Sequence, residues 1–464
     1  MNATLATVLC LAGIGGVFWL NRDPQAKTSK ALWLPVIWLS IACSRMISQW
    51  LAIFDPRTRL PRADAVARYM DGSPLDRLLL TIGFVLALAI LAGRRQKVFA
   101  LLRLNVPIVF FLAYCGMSAI WSDYPDVAFK RWIKALADFS MVLIVLTEAD
   151  RKAAIKRLLA RTGFVLVPLS LLLIKYYPAG RGWSEWGESA YTGVATSKNE
   201  LGGMCLLMAI ACFWQVLQLL RENRRVRNRR SLIAQGVILL MALFLLWSAN
   251  AVTAMACFAI AACIIVAMNL RVVSRRRSLV HAMVATFIAL PAASLFLQVG
   301  SGVVEQMGRD STLTGRTDIW KLVISMTRSS VFGTGFESFW LGSRLDRIWS
   351  IYWWHPNEAH NGYIEVFLNL GCVGLVLLLM LFVTSYKNVL ASMRRDRAMG
   401  SLRLAYFVVA IVYNFTESAI RIMHPVWILF LLAGTAVREE RVPAKESAPE
   451  REPLIAQEEL SWSR

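Results

Sequence analysis

Apolar residues run through this chain in blocks of roughly 20, separated by short basic stretches, and a helical block of that length crosses the hydrocarbon core of a bilayer. Inside that core the backbone must satisfy its own hydrogen bonds, which leaves helices as the natural solution. The pattern therefore predicts an all-α polytopic membrane protein. Candidate spans fall at 3–20, 31–53, 75–93, 98–121, 129–147, 162–178, 201–220, 231–247, 252–270, 280–298, 362–384, 402–419 and 426–437. The first and last are the weakest, so 12 or 13 transmembrane helices are expected. Composition agrees: 57% of the 464 residues are hydrophobic and 17% charged, where soluble domains carry about 25% charge. The 17 Trp suit helices anchored at membrane interfaces.

The net charge is +21, which in a soluble protein would suggest nucleic acid. Here the cations sit between apolar blocks and are read as topological signals, with no nucleic-acid partner. Loops 21–30, 94–97, 148–161, 221–230, 271–278 and 385–401 hold 25 Lys and Arg in about 65 residues. The alternate loops hold 13 in about 125, so the first set is assigned to the cytoplasm. Residues 438–464, rich in Glu and Pro, are expected to form a disordered cytoplasmic tail behind a transmembrane bundle of residues 1–437. The eight Cys lie within apolar segments without metal-site spacing, and no disulfide is expected. Leu5 to Leu20 lacks a basic n-region and a small-residue cleavage site, so it is read as a retained span.

Two loops on the outer side, 179–200 and 299–361, are too long to be turns, and chemistry is expected there, at the membrane–water boundary. Within the second, Ile319, Leu322, Val323 and Met326 recur at helical spacing and predict an amphipathic helix capped by Thr317. Arg316 would sit just ahead of its N-terminus, placed to hold a phosphate, or equally to touch lipid headgroups. His355-Pro-Asn-Glu-Ala-His360-Asn361 leads into the next span and holds two of the chain's four His. A neutral His360 at a helix N-terminus has the properties of a general base; the plainer reading is a pair of surface His at headgroup level. Pro356 disfavours helical metal spacing, and no metal is expected. In the first loop Lys198 precedes a span, as a phosphate contact or a snorkelling interfacial Lys. Arg131 lies near the outer end of its span, Lys134 and Asp138 are spaced to pair, and Glu417 lies beside Asn414 with Arg421 a turn later.

These elements are ordered as in a known family. Trp121-Ser-Asp-Tyr-Pro125, Ser197-Lys-Asn-Glu-Leu-Gly202, Leu313-Thr-Gly-Arg316 with Trp320, Gly333-Thr-Gly335, and His360-Asn361-Gly-Tyr363 with Leu370-Gly371 follow one another over roughly residues 80–435. The chain resembles the O-antigen ligase/polymerase superfamily, of Wzy and WaaL type, and most its exopolysaccharide polymerase branch, ExoQ. The resemblance implies a fold like that of the GT-C membrane glycosyltransferases, set in the bacterial inner membrane. It implies transfer of a glycan from undecaprenyl diphosphate to an acceptor glycan at the periplasmic face. It further implies inversion at the anomeric carbon with no metal or cofactor, membrane lipids as surroundings, and other polysaccharide assembly proteins as partners. By the same resemblance His360 is the candidate base and Arg316 the diphosphate ligand. Lys198, Asn199, Arg131 and Asn361 join them as substrate-binding candidates. One departure stands out: the family's Ser-Arg/Lys-Thr-Ala sequence is replaced by Ser248-Ala-Asn-Ala-Val-Thr-Ala254, without its cation. Arg131 or Lys198 is the expected substitute. The leading function is polymerisation of lipid-linked repeats into exopolysaccharide or O-antigen. The alternatives are ligation to lipid A–core, and flipping of lipid-linked saccharide, which predicts a polar path and repeat symmetry that the sequence lacks.

Overall fold

The computed structural model describes residues 2–23, 27–54, 72–183, 189–221, 227–297 and 314–437. The expected tail, 438–464, lies outside them. The helices in the first half are α1 (Ala3–Leu20), α2 (Trp33–Ala42), α3 (Ile47–Phe54), α4 (Pro74–Ala92), α5 (Arg95–Leu104), α6 (Val106–Met117), α7 (Pro125–Leu146), α8 (Arg151–Tyr176) and α9 (Lys198–Arg221). The second half holds α10 (Arg227–Ser248), α11 (Val252–Asn269), α12 (Arg271–Arg275), α13 (Arg277–Leu297), α14 (Thr314–Ser325), α15 (Gly342–Ile351), α16 (Gly362–Arg395), α17 (Arg397–Tyr413) and α18 (Pro425–Gly434). A short hairpin, Arg181–Trp183 with Ser189–Tyr191, is the one sheet among the described residues. The architecture is the all-α polytopic one that the apolar blocks predict.

Every expected span coincides with a helix, but eight helices are long and apolar enough to cross a membrane, or ten if two bent pairs each count as one. The shortfall has a physical source. The chain bends by 60° between α2 and α3 and by 91° between α5 and α6. Charged residues interrupt α7, from Asp126 through Lys130, Arg131 and Lys134 to Asp138. The helices α17 and α18 have 17 and 10 residues. All ten residues of α18 are buried, as are Ala135 and Ala137 to Leu146 of α7. Helices walled by protein need not match the bilayer in length. By contrast α1 and α4 expose Leu5, Val8, Leu11, Leu78, Ile82 and Val85, a surface suited to lipid rather than water.

Polar cross-links sort the loops into two rims. On one, Glu148 accepts from Ser29 N–H at 2.7 Å and pairs with Arg94 at 2.8 Å, Arg157 donates to the Asp23 carbonyl at 2.7 Å, and Lys152 pairs with Asp396 at 2.9 Å. On the other, Arg45 donates to the carbonyls of Gly193 and Ala179, each at 2.8 Å, while Asp123 holds Arg328 at 2.8 Å and Arg344 at 2.6 Å. Apart from Arg45, which falls within the expected span 31–53, each bond joins loops that the charge count puts on one side.

The segment after α14 inserts into the bundle. Helix α16 breaks at Gly371 (φ 64°, ψ −163°). The backbone groups freed there are taken by the inserted segment: Thr334 and Gly335 donate to Leu368 and Asn369 carbonyls at 3.0 and 2.9 Å. Cys372 and Val373 donate in return to Ser330 and Val331 carbonyls at 2.8 and 3.2 Å. Irregular backbone is tolerated at such a place when protein satisfies it. The approach explains two glycines of the sequence pattern: a Cβ on Gly371 would lie 2.3 Å from the Val331 carbonyl carbon, and one on Gly333 would lie 2.4 Å from that of Asn369.

The Trp residues serve the interior more than expected. Trp38, Trp214, Trp340 and Trp427 are buried. The first three donate their indole N–H to Asp138, the Ala398 carbonyl and Glu365, consistent with the rule that a buried indole finds an acceptor.

Candidate active site

Three segments converge on one rim: 354–361 before α16, 414–424 between α17 and α18, and the start of α9. The end of the expected span 402–419 is not helical, because α17 stops at Tyr413. Asn414 ends it: its Oδ1 accepts from Ala419 and Ile420 N–H at 2.8 and 3.0 Å, folding the loop back. Gly362 N–H then donates to the Asn414 and Glu417 carbonyls at 2.9 and 3.1 Å, pinning that loop to the head of α16.

His360 sits in this clasp at φ 50°, a left-handed conformation that costs a non-glycine residue energy. Its Nδ1 lies 3.0 Å from Glu358 Oε1 and 3.8 Å from Glu417 Oε2, with all three side chains largely shielded from solvent. The approaches lack hydrogen-bond angles, so Nδ1 is buried in an ion-pair cage without a directed partner. Burial pulls His360 toward its neutral form, but attraction to Glu358 and then Glu417 outweighs it and lifts the pKa to about 10. The neutral imidazole expected from the helix N-terminus is thus reversed by Glu358, two residues upstream, and by Glu417, which the sequence does not mark as a neighbour. Glu358 moves the other way: burial resists its charge, yet Arg421 first, then His360, hold it down at about 2. Arg421 Nη1 lies 2.6 Å from Glu358 and its Nη2 lies 3.8 Å from Glu200, joining the three segments. His424 differs again: burial pushes it down to about 3, so it is neutral, and its Nδ1 accepts from Val426 N–H to cap α18.

Glu358, His360 and Glu417 offer ligand atoms within 4.8 Å of one another, a spacing that a divalent ion tolerates. The Arg421 guanidinium against Glu358 and the proton held on His360 supply positive charge to the same carboxylates.

The charges around His360 set a pH window. The folded pKa of His360 lies above its ordinary 6.5, so its stabilising contribution is complete below that value and fades as pH rises toward 10. Glu358 lies below its ordinary 4.5, so its contribution is present above that value and fades toward pH 2. The melting temperature of the detergent-solubilised protein should therefore decline from about pH 7 to 10, and His360→Gln should flatten that decline. A variant with an unchanged alkaline slope would show that the pair does not titrate as described.

The other expected residues are placed as follows. Asn361 is buried and caps α16: its Oδ1 accepts from Tyr363 and Ile364 N–H at 3.0 and 3.1 Å, and its Nδ2 donates to the Phe415 carbonyl. Lys198 and Asn199 open α9, half-buried, two positions and one position before the Glu200 that meets Arg421. Ser197 and Glu200 of that motif cap the helix: Glu200 N–H donates to Ser197 Oγ, and Thr196 N–H donates to the Glu200 carboxylate. Arg131 is half-buried, and its guanidinium donates to the Glu337 carbonyl, tying α7 to the inserted segment. Arg316 lies within the first turn of α14, which starts at Thr314 rather than at a Thr317 cap; its side chain lies outside the described residues. That helix is joined to His360 by Trp320, whose indole N–H donates to the Ala359 carbonyl at 2.8 Å. His355 is exposed and lies against Trp349 with the two rings tilted by 35°. Asp138 receives Trp38 and Met423 N–H at 2.7 and 2.8 Å in place of the expected Lys134 pairing.

Glu337 and Arg421 are the site residues that the sequence reading undervalues. Glu337, at φ 54°, lines a cavity with Glu358, Glu365 and Arg421. Its Oε1 accepts from Ile422 N–H at 3.3 Å. Burial raises its pKa, against the opposing pull of Arg131, Arg421 and Lys134. A left-handed non-glycine residue in a tight loop is a structural signal, invisible in sequence.

The fold is that of a polytopic membrane protein, and comparison with known proteins points to the polysaccharide ligase and polymerase class. Residues 228–379, which include Arg316, His360 and Asn361, match the O-antigen ligase family. Among curated proteins, the chain is 26% identical over 307 residues to the exopolysaccharide production protein ExoQ of Rhizobium meliloti (strain 1021), covering 63% of this chain and 68% of that relative. The two findings support the O-antigen ligase/polymerase superfamily, near ExoQ, and with it a polysaccharide polymerase or ligase role.

Proposed function

We propose that this protein is a membrane glycosyltransferase that joins undecaprenyl-diphosphate-linked oligosaccharide repeats into exopolysaccharide or O-antigen, on the periplasmic side of a bacterial inner membrane. The observation that supports the reading is the shielded cage of Glu358, His360 and Glu417, closed by the half-buried Arg421, on the rim with fewer cations. In the reaction an acceptor hydroxyl oxygen bonds to the anomeric carbon and the carbon–oxygen bond to diphosphate breaks. Diphosphate leaves with the electron pair, and the hydroxyl proton passes to a base.

An imidazolium cannot accept that proton. We therefore assign His360 to the developing charge on the diphosphate, with Arg316 as its companion, and the proton to Glu337. Glu337 faces the cavity, and its burial makes its carboxylate a better proton acceptor than an ordinary Glu. Lys198, Asn199 and Arg131 remain the proposed glycan and diphosphate contacts, with Asn361 holding His360 in place. A base of this kind predicts that activity falls on the acid side above the usual carboxylate range, with no step near the ordinary imidazole value. Glu337→Gln is expected to lower turnover about 100-fold or more. A wild-type profile that rises with a midpoint near pH 6.5, with Glu337→Gln fully active, would return the base role to His360.

The ligase reading shares this donor chemistry and is favoured by the family description that matches residues 228–379. In cells lacking the protein, mass analysis of lipid-linked glycans separates the two. Accumulated single repeats, cleared by the wild-type gene, support polymerisation. Full-length glycan left on its lipid and absent from lipopolysaccharide supports ligation. Neither species accumulating overturns both.

A further inference from the structure

At the opposite rim lies an open cleft of about 860 Å³ that the proposed reaction does not use. Its walls are Lys27 to Ser29, Ala92 to Lys97, and Thr147 to Ala149. Four cations line it, Lys27, Arg94, Arg95 and Lys97, against one carboxylate, Glu148. That carboxylate is already taken up: it accepts from Ser29 N–H and Oγ at 2.7 and 2.6 Å and from Arg94 Nη2 at 2.8 Å. The Arg94–Glu148 pair is the rigid floor. Lys27, Arg95 and Lys97 stand exposed above it and give the cleft an excess of positive charge.

Helix α5 begins at this cleft and lies across the end of the bundle, since the chain turns 91° before entering α6. Beyond its basic first turn it exposes Phe99 and Leu104. Exposed Phe99 and Leu104 beyond the basic first turn, with the Arg103 guanidinium lying over the Phe99 ring, suit headgroup level, with phosphate at the cleft and acyl chain along the apolar side chains. We propose that this cleft is a phosphate-binding site, separate from the His360 cage, and that the phosphate is carried on an anionic phospholipid.

The test uses the full-length chain in nanodiscs. One arm is neutral phosphatidylcholine with added inorganic phosphate or pyrophosphate; the other is phosphatidylcholine doped with phosphatidylglycerol or cardiolipin. Bound phosphate is followed by native mass spectrometry and by the shift in melting temperature. The cleft variant is Lys27→Gln/Arg95→Gln/Lys97→Gln. The matched control, Arg275→Gln/Arg276→Gln/Arg277→Gln, removes equal charge from exposed residues outside the cleft. Retention of anionic lipid is expected to fall at least tenfold in the cleft variant and to stay within about twofold in the control. The same contrast seen with pyrophosphate in neutral discs keeps the phosphate site and identifies a free anion as its ligand. Equal losses in both variants, or none in the cleft variant, overturn the proposal. Exposed side chains are replaced throughout, and a monodisperse wild-type-like elution profile confirms that both variants are folded.

Discussion

Polymer formation in membranes carrying His360→Gln is expected to fall about 100-fold or more, with lipid-linked single repeats accumulating and the protein still present in the membrane. The size follows from the cage. His360 is pressed between Glu358 and Glu417, and its proton is the charge shared by both, with Arg421 reaching Glu358 alone. Glutamine keeps the volume and some hydrogen bonding but removes that charge, leaving Glu417 to face Glu358 and Arg421 unassisted. His360→Lys is the informative companion. If the residue acts as a cation, Lys recovers part of the activity and does so without an imidazole titration. If it acts as a base, Lys is as inactive as Gln, and the wild-type rate rises with a midpoint near pH 6.5. Abundance of each variant, measured in the same membranes, separates a chemical loss from a folding loss.

Gly371→Ala should be among the most damaging small substitutions in the described residues. Alanine would have to adopt φ 64° with its Cβ 2.3 Å from the carbonyl carbon and oxygen of Val331. Left-handed strain and a backbone clash together are expected to cost about 3 kcal/mol or more, because backbone atoms do not yield as a side-chain tip can. Thermal unfolding in detergent and membrane abundance report the loss. Gly236→Ala in α10 is the control: its Cβ meets nothing within 4 Å, and helix propensity favours the change by up to about 1 kcal/mol. Equal stability of the two variants would mean that the inserted segment is not clasped at the break.

Hydropathy and charge periodicity made the helices legible, because both are local. Even the sidedness of loops such as 21–30, 94–97 and 148–161 can be read from Lys and Arg density, and their cross-links agree. The bend after α2 was not legible, since no Pro or Gly sits at Cys43 to Met46; the one after α5 has a signal in Pro107, which opens α6 just past Asn105, but hydropathy runs straight through it. Nor was the shortness of α17, because Asn414 ends that helix through hydrogen bonds to residues that follow it. For the site, the motif around His360 marked the correct loop but not its charge state. That depends on Glu417, 57 positions away, and on Arg421, which reaches Glu358 across the fold. Several motif residues proved to be architectural: Ser197 and Glu200 cap a helix, Asn361 caps another, and Gly333 and Gly371 permit two backbones to touch.

That contact has a consequence for motion. Ser330 to Gly335 and Leu368 to Val373 exchange hydrogen bonds in both directions, so the amides of Thr334, Gly335, Cys372 and Val373 are all held in hydrogen bonds. In deuterium exchange they should behave like the interior of a sheet and lag far behind the amides of α15, although Thr334 and Gly335 lie in what hydropathy reads as an outer loop. A segment locked in this way cannot swing aside. On the proposed function, a glycan would have to reach the cage by another route, such as past the opening turn of α9, with the inserted segment as a fixed wall beside it.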